Sequence, residues 1–350
     1  MWKNKWLLIL IFMIVVALLP ALLLKLGMRY MISMVTLVSI YTLAILSLDV
    51  ALGYGGQINL GLQGFMAVGA YTVAVLTTKV GVPPLLAHPV VAMLMGILLS
   101  FIVAFLVSVP ILRTIEMMPF SIVTLAFGLA VYMVISGSTF LGSTLGITGI
   151  PPLGLGPLKL AGSVEMYYFS WAVTFALIFF SSYMVNSQWG LAVRCICSSE
   201  QTAEVVGINV AKYRLEVFLL SATLGGVAGS LFAFHLRGLD PTNFDFSRML
   251  LFLFGLFLGG ERSIWGTVIG ATTIFLVIPE LIGVLSNYWL WIPAATPLIY
   301  GVIFTLILFF LPGGLMGLMR GTGGSQLDRF LGQDEKRTAV GCLDSSVVSK

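Results

Sequence analysis

From Pro89 to Leu112 the chain carries no charged side chain, and runs of that kind recur almost to its end. Such runs limit the possible folds more than any motif. About 20 consecutive apolar residues cross the ~30 Å hydrocarbon core as a helix. In that solvent every backbone N–H and C=O must find its partner within the protein. Only 9% of the residues are charged and 59% are hydrophobic, with a mean hydropathy of +1.06. A soluble domain carries roughly 25% charged residues. The expectation is an all-α, polytopic helical membrane bundle of about eight to ten transmembrane helices.

The apolar runs fall at 6–24, 30–52, 59–78, 89–112, 117–136, 167–185, 214–234, 247–260, 264–284 and 294–312. They read as one transmembrane domain over residues 1–320, followed by a short polar tail over 321–350. Lys3 and Lys5 precede the first run, which lacks a small-x-small cleavage site before Lys25. It therefore reads as a retained helix rather than a signal peptide. With the N-terminus inside, twelve of the eighteen Lys and Arg residues lie on the cytoplasmic side, as the positive-inside tendency requires. Both termini are then cytoplasmic, and the protein is a multi-pass component of the inner membrane. The eighth run is the weakest, since only Met249–Gly260 is free of charge. That is about 18 Å of helix, so it is either a half-helix or a span with Asp245 and Arg248 among the headgroups.

Two connections stand out. Residues 137–166 are rich in Gly, Pro, Ser and Thr and read as an irregular external lid or ledge. Residues 186–213 differ in kind. Helix formers cluster around Gln201–Val206, with Ser198 and Ser199 available as caps and Gly207 as a stop. A short helix between two spans on the cytoplasmic side is a lever that a soluble partner can push.

Polar residues inside the oily runs are few. Gly56, Gln57, Asn59 and Gln63 lie in a glycine-rich stretch, with Asn59 and Gln63 expected on one helix face. They serve either as interhelical hydrogen-bond glue or as the polar lining of a translocation path beside an unwound segment. Gly225/Gly229, Gly255/Gly259 and Gly266/Gly270 repeat at i, i+4 and read as close-packing faces. Asp49 and Glu280 are the carboxylates nearest the hydrocarbon. An intramembrane acid is a functional candidate, but both fall near span ends, where structural pairing also accounts for them. His88 and His235 sit at span ends too.

Much chemistry is excluded. No Gly-Lys dipeptide occurs, so no phosphate-binding loop of the G-x-x-x-x-G-K-[ST] type exists. Nothing assembles a catalytic constellation, a metal site or a cofactor site. Cys195, Cys197 and Cys342 give no disulfide framework and no zinc knuckle.

Three blocks carry a resemblance. GYGGQINLGLQGFMAVGAY at 53–71 is similar to G-x-x-G-Q-[ILV]-[SN]-x-G…F-x-x-x-G-A-Y. SSEQTAEVVGINVAKYRL at 198–215 is similar to E-x-x-A-x-x-x-G-[IV]-[ND]-[VP]-x-x-x-[KR]. LGGERSIWGTVIGATTIFLVIPE at 258–280 is similar to G-G-x-G-[ST]-x-x-G-[PA]…P-E. The chain thus resembles the permease subunits of branched-chain amino acid ABC importers, in their longer, second-permease form. It departs from the pattern at Leu62, at Glu261-Arg262, and at Cys195 and Cys197.

The resemblance implies a second homologous permease, two ATP-binding subunits and an external solute-binding protein. It also implies that the loop bearing Arg194, Glu200, Ala203, Glu204, Gly207 and Lys212 couples to the ATPase. The implied solutes are branched-chain amino acids, with urea or short amides as neighbours. The competing reading is an ion-coupled carrier using Asp49 or Glu280; an enzyme acting on lipid would need an acid or metal cluster that the sequence does not offer.

Overall fold

The computed structural model describes residues 2–25, 27–79, 83, 86–111, 117–155, 158–159, 162–286, 288, 295–310 and 313–319. The tail expected over 321–350, with Cys342, lies outside the described residues. The helices are α1 (Trp2–Lys25), α2 (Arg29–Leu48), α3 (Leu62–Thr78), α4 (Pro89–Ile111), α5 (Met117–Gly137) and α6 (Ser163–Val185). There follow α7 (Gln188–Ser198), α8 (Glu200–Val205), α9 (Val210–Leu236), α10 (Phe246–Gly259), α11 (Ile264–Thr272), α12 (Ile278–Ser286), α13 (Thr296–Phe310) and α14 (Gly314–Met319). Two π-helical segments, Asp49–Tyr54 and Thr273–Val277, extend α2 and join α11 to α12.

Every apolar run read from the sequence contains a helix in the described residues. Among the described residues, six continuous helices are long and apolar enough to cross a membrane, the longest being Val210–Leu236 and Arg29–Tyr54. Phe12–Lys25, Leu62–Thr78, Phe246–Gly259 and Thr296–Leu306 are shorter apolar helices. The weak eighth run is α10, with 14 residues, or about 21 Å. It nevertheless links the two ends of the bundle, from the turn at Pro241–Phe244 to Gly260 beside Gly313.

Glycine sets how closely the central helices approach. A Cβ on Gly229 of α9 would strike the Met66 carbonyl of α3, and one on Gly69 of α3 would strike the Gly226 carbonyl. Gly255 and Gly259 of α10 face Gly270 and Gly266 of α11 in the same way. The i, i+4 glycine pairs are therefore packing faces. Buried hydroxyls add bonds between helices. Ser39 Oγ donates to Ser170 Oγ at 2.8 Å, and Ser47 Oγ donates to the Ser221 carbonyl at 2.7 Å. Such bonds average only about 0.6 kcal/mol in a membrane. An intruding methylene costs about 1–3 kcal/mol, so backbone fit is the stronger determinant.

At one end, where a lid or ledge is expected, the described residues of the 137–162 connection form a plate with two short strand pairs. Strand β1 (Ile147–Thr148) pairs antiparallel with β4 (Gly238–Leu239), while β2 (Gly154–Leu155) and β3 (Leu158–Lys159) form a second pair. Ile147, Ile150 and Leu153 are buried in the main core and anchor the plate. At the opposite end sit α7 and α8, because α6 runs from plate to α7 and α9 runs back from α8 to β4.

Candidate functional site

The α7–α8 end contains more structure than the sequence suggests. One short helix is expected there, and two are present. Ser199 caps α8 by accepting the Thr202 N–H at 3.3 Å, and Gly207 ends the turn at φ +85°. Ser198 does not cap α8; it closes α7, donating to the Cys195 carbonyl at 2.8 Å. Gly190 permits the bend between α6 and α7, where a Cβ would strike the Val185 carbonyl.

The residues expected to face a partner divide into two groups. Glu204 is exposed, and the Lys212 side chain is 66% exposed, 3.9 Å from Glu216. Arg194 is exposed, but its guanidinium is committed to the carbonyls of Gly190 and Val185, each at 3.1 Å. Ala203 is buried with Ile196 and Val210, so it is core to the lever rather than outward-facing. Glu200 turns inward to an ion pair with Arg214 at 2.8 Å. Sequence reasoning missed the apolar part of the outer face, where Val205 is 89% and Val206 66% exposed. Their signal was available as a β-branched pair just ahead of the helix-stopping Gly207.

Residues 49–61 interrupt the spanning helices. The π segment opens where Asp49 lies fully buried, its Oδ1 accepting the Arg262 N–H at 2.9 Å. Gly53 makes room for that carboxylate, since a Cβ there would overlap Asp49 Oδ1. Gly56 takes φ +64°, which a side chain would strain. Non-helical backbone follows until Leu62. Asn59 is therefore not on a helix face with Gln63, as the spacing predicts. It precedes the helix, accepting the Gly61 N–H at 3.1 Å and donating to Ser221 Oγ at 3.3 Å.

Gln57 donates to the Arg214 carbonyl at 3.2 Å. Gln57 and Asn59 thus both bond from the interrupted backbone to α9. Gln63 does not: it is 1% exposed, and neither Nε2 nor Oε1 has a hydrogen-bond partner among the described residues.

Two arginines join these regions, across separations no local pattern reveals. Arg214 holds Glu200 of α8 with its side chain and Gln57 with its backbone carbonyl. Arg262, at φ +58°, bonds Gly53 O at 2.8 Å through Nε and Cys197 Sγ of α7 at 3.3 Å through Nη2. Tyr54 OH returns to the Arg262 carbonyl at 2.9 Å. The lever and the interrupted segment are therefore tied twice. Glu280, at the other end, accepts from Tyr30 OH at 3.2 Å, and His235 lies 3.1 Å from Ser33 Oγ. No cluster of His, Cys, Asp and Glu fit to hold a metal ion occurs among the described residues.

Comparison with known proteins adds to this geometry. Residues 30–312 match the family described as branched-chain amino acid transport system / permease component. The chain is 27% identical over 316 residues to the high-affinity branched-chain amino acid transport system permease protein LivM of Salmonella typhimurium, covering 83% of this chain and 71% of that one. It is 24% identical to the probable branched-chain amino acid transport permease protein LivM of Methanocaldococcus jannaschii, over 82% of this chain and 93% of that one. It is also 28% identical to the guanosine ABC transporter permease protein NupQ of Bacillus subtilis, over 69% of this chain and 83% of that one. No solved structure matches it.

Proposed function

This chain belongs to the permease-component family of branched-chain amino acid transport systems, and we propose that it is the membrane gate of an ATP-driven importer. It is itself a multi-pass membrane protein and a transport subunit rather than an enzyme. ATP binding and hydrolysis in partner chains drive it, since it carries no phosphate-binding loop of its own. Its partners are a second homologous permease, two ATP-binding subunits and an external solute-binding protein. The α7–α8 lever faces the cytoplasm with both termini. It offers Gln201, Glu204, Val205 and Val206 to the ATPase, and Arg194 and Lys212 flank that face. The solutes are branched-chain amino acids or related small molecules. They pass beside Gly56, Gln57, Asn59 and Gln63.

The observation that carries this reading is the bonded path from Glu200 through Arg214 to Gln57. It gives motion of the lever a direct route to the interrupted backbone. Glu200→Lys places like charges together at a pair whose side chains are 30% and 14% exposed. In the reconstituted complex, this variant and Gly207→Leu are expected to keep ATP hydrolysis within about twofold while uptake of labelled L-leucine falls about tenfold or more. Wild-type coupling in both variants would refute the assignment of the lever.

A further inference from the structure

Three features meet at one spot near mid-bundle. The first is the start of α3: Leu62 packs against Gly225, close to the middle of the 27-residue α9. The first turn of an α-helix leaves N–H groups without intrahelical acceptors and carries about half a positive charge. Asn59 occupies the N–H of Gly61 just before that turn. The second is Gln63 in that first turn, buried, with neither end of its amide bonded among the described residues.

The third is Gly128 of α5. A Cβ there would lie 2.5 Å from Gln63 Nε2 and 3.3 Å from the Gly61 Cα. Helix start, orphan amide and a glycine of the neighbouring helix thus converge, with Phe127 closing over Gly64.

An unpaired buried amide costs roughly 1–3 kcal/mol, and a native protein that retains one invites an explanation. Interrupted spans at the membrane midplane commonly aim a half-helix N-terminus at an anionic group of the solute. We propose that the start of α3 with Gln63 is the seat for an α-amino acid, exposed when α5 draws Gly128 and Phe127 away. The Gly64 N–H is already held by the Gly61 carbonyl at 2.9 Å, so the Gln63 Nε2–H and the backbone N–H groups of Leu62 and Gln63 donate to the carboxylate. Gln63 Oε1 accepts from the ammonium. This rests on the permease reading above and sharpens it. A zwitterionic amino acid satisfies both ends of the amide and the helix charge, whereas a neutral nucleoside leaves the helix terminus without its anion.

The test uses the complete reconstituted complex. ATP-dependent uptake of labelled L-leucine and of labelled guanosine is measured first. Equilibrium binding of tritiated L-leucine to the complex, without solute-binding protein, is then competed with L-leucinamide, which lacks the carboxylate, and with guanosine. The seat predicts leucine uptake, leucine binding, and weak competition from both competitors. Gln63→Leu and Gln63→Asn should each weaken leucine binding about tenfold while the complex purifies at wild-type yield.

Equal competition by leucinamide, or unchanged leucine binding in whichever variant assembles, overturns the seat. So does uptake of guanosine without leucine. In all three cases the permease function stands. Absence of ATP-dependent uptake of both solutes by the wild type overturns the underlying reading, and the seat with it.

Discussion

At the scale of single residues, glycines and one carboxylate state the demands of the bundle most directly. Gly229 sits against the Met66 carbonyl, while a Cβ added at Gly283 would meet nothing within 4 Å. Gly229→Ala is therefore expected to lower the thermal midpoint of the purified protein by an amount corresponding to about 1–3 kcal/mol. Gly283→Ala should leave it unchanged or raise it slightly. Equal behaviour of the two variants would contradict the packing account. Asp49 offers a second contrast. Its Oδ1 accepts a backbone N–H, a task an asparagine carbonyl can also perform. Asp49→Asn should keep at least half of wild-type uptake, whereas an ion-coupled carrier built on this acid would lose it. The sequence exposes the acid and the glycines, but not the bond to Arg262, which lies more than 200 positions away.

At the scale of elements, the interruption between α2 and α3 and the paired helices α7 and α8 are tied together through Arg214 and Arg262. Composition reveals the glycine- and amide-rich break. Its limits differ from the expectation because Asn59 bonds the Gly61 N–H and so ends the irregular backbone instead of joining the helix. The lever is legible from its cap and its stop, Ser199 and Gly207. The preceding α7 is missing from the expectation although it carries a local signal, since Ala192, Val193 and Ile196 are spaced to fall on one buried helix face. Arg262→Gly keeps the positive φ and removes the bonds to Gly53 and Cys197. Uptake per ATP hydrolysed should then fall several-fold with assembly intact. Full coupling would show that Arg214 alone transmits the motion.

At the scale of the whole molecule, the chain has a plated end, a lever end, and interrupted backbone suspended between them. The architecture follows from hydropathy, because lipid admits few other solutions for so long a run of apolar residues. Glycine-on-carbonyl fits set the close approach of α3 to α9 and of α10 to α11, and local sequence does not say which helices are the partners. On the proposed reading, this polypeptide gates a path without supplying energy. Accumulation of labelled L-leucine in sealed proteoliposomes tests it most directly, comparing this permease alone with the full complex supplied with ATP. Accumulation against the gradient is expected only with the ATP-binding partners and ATP present. Uphill accumulation by the permease alone, without nucleotide, would contradict it.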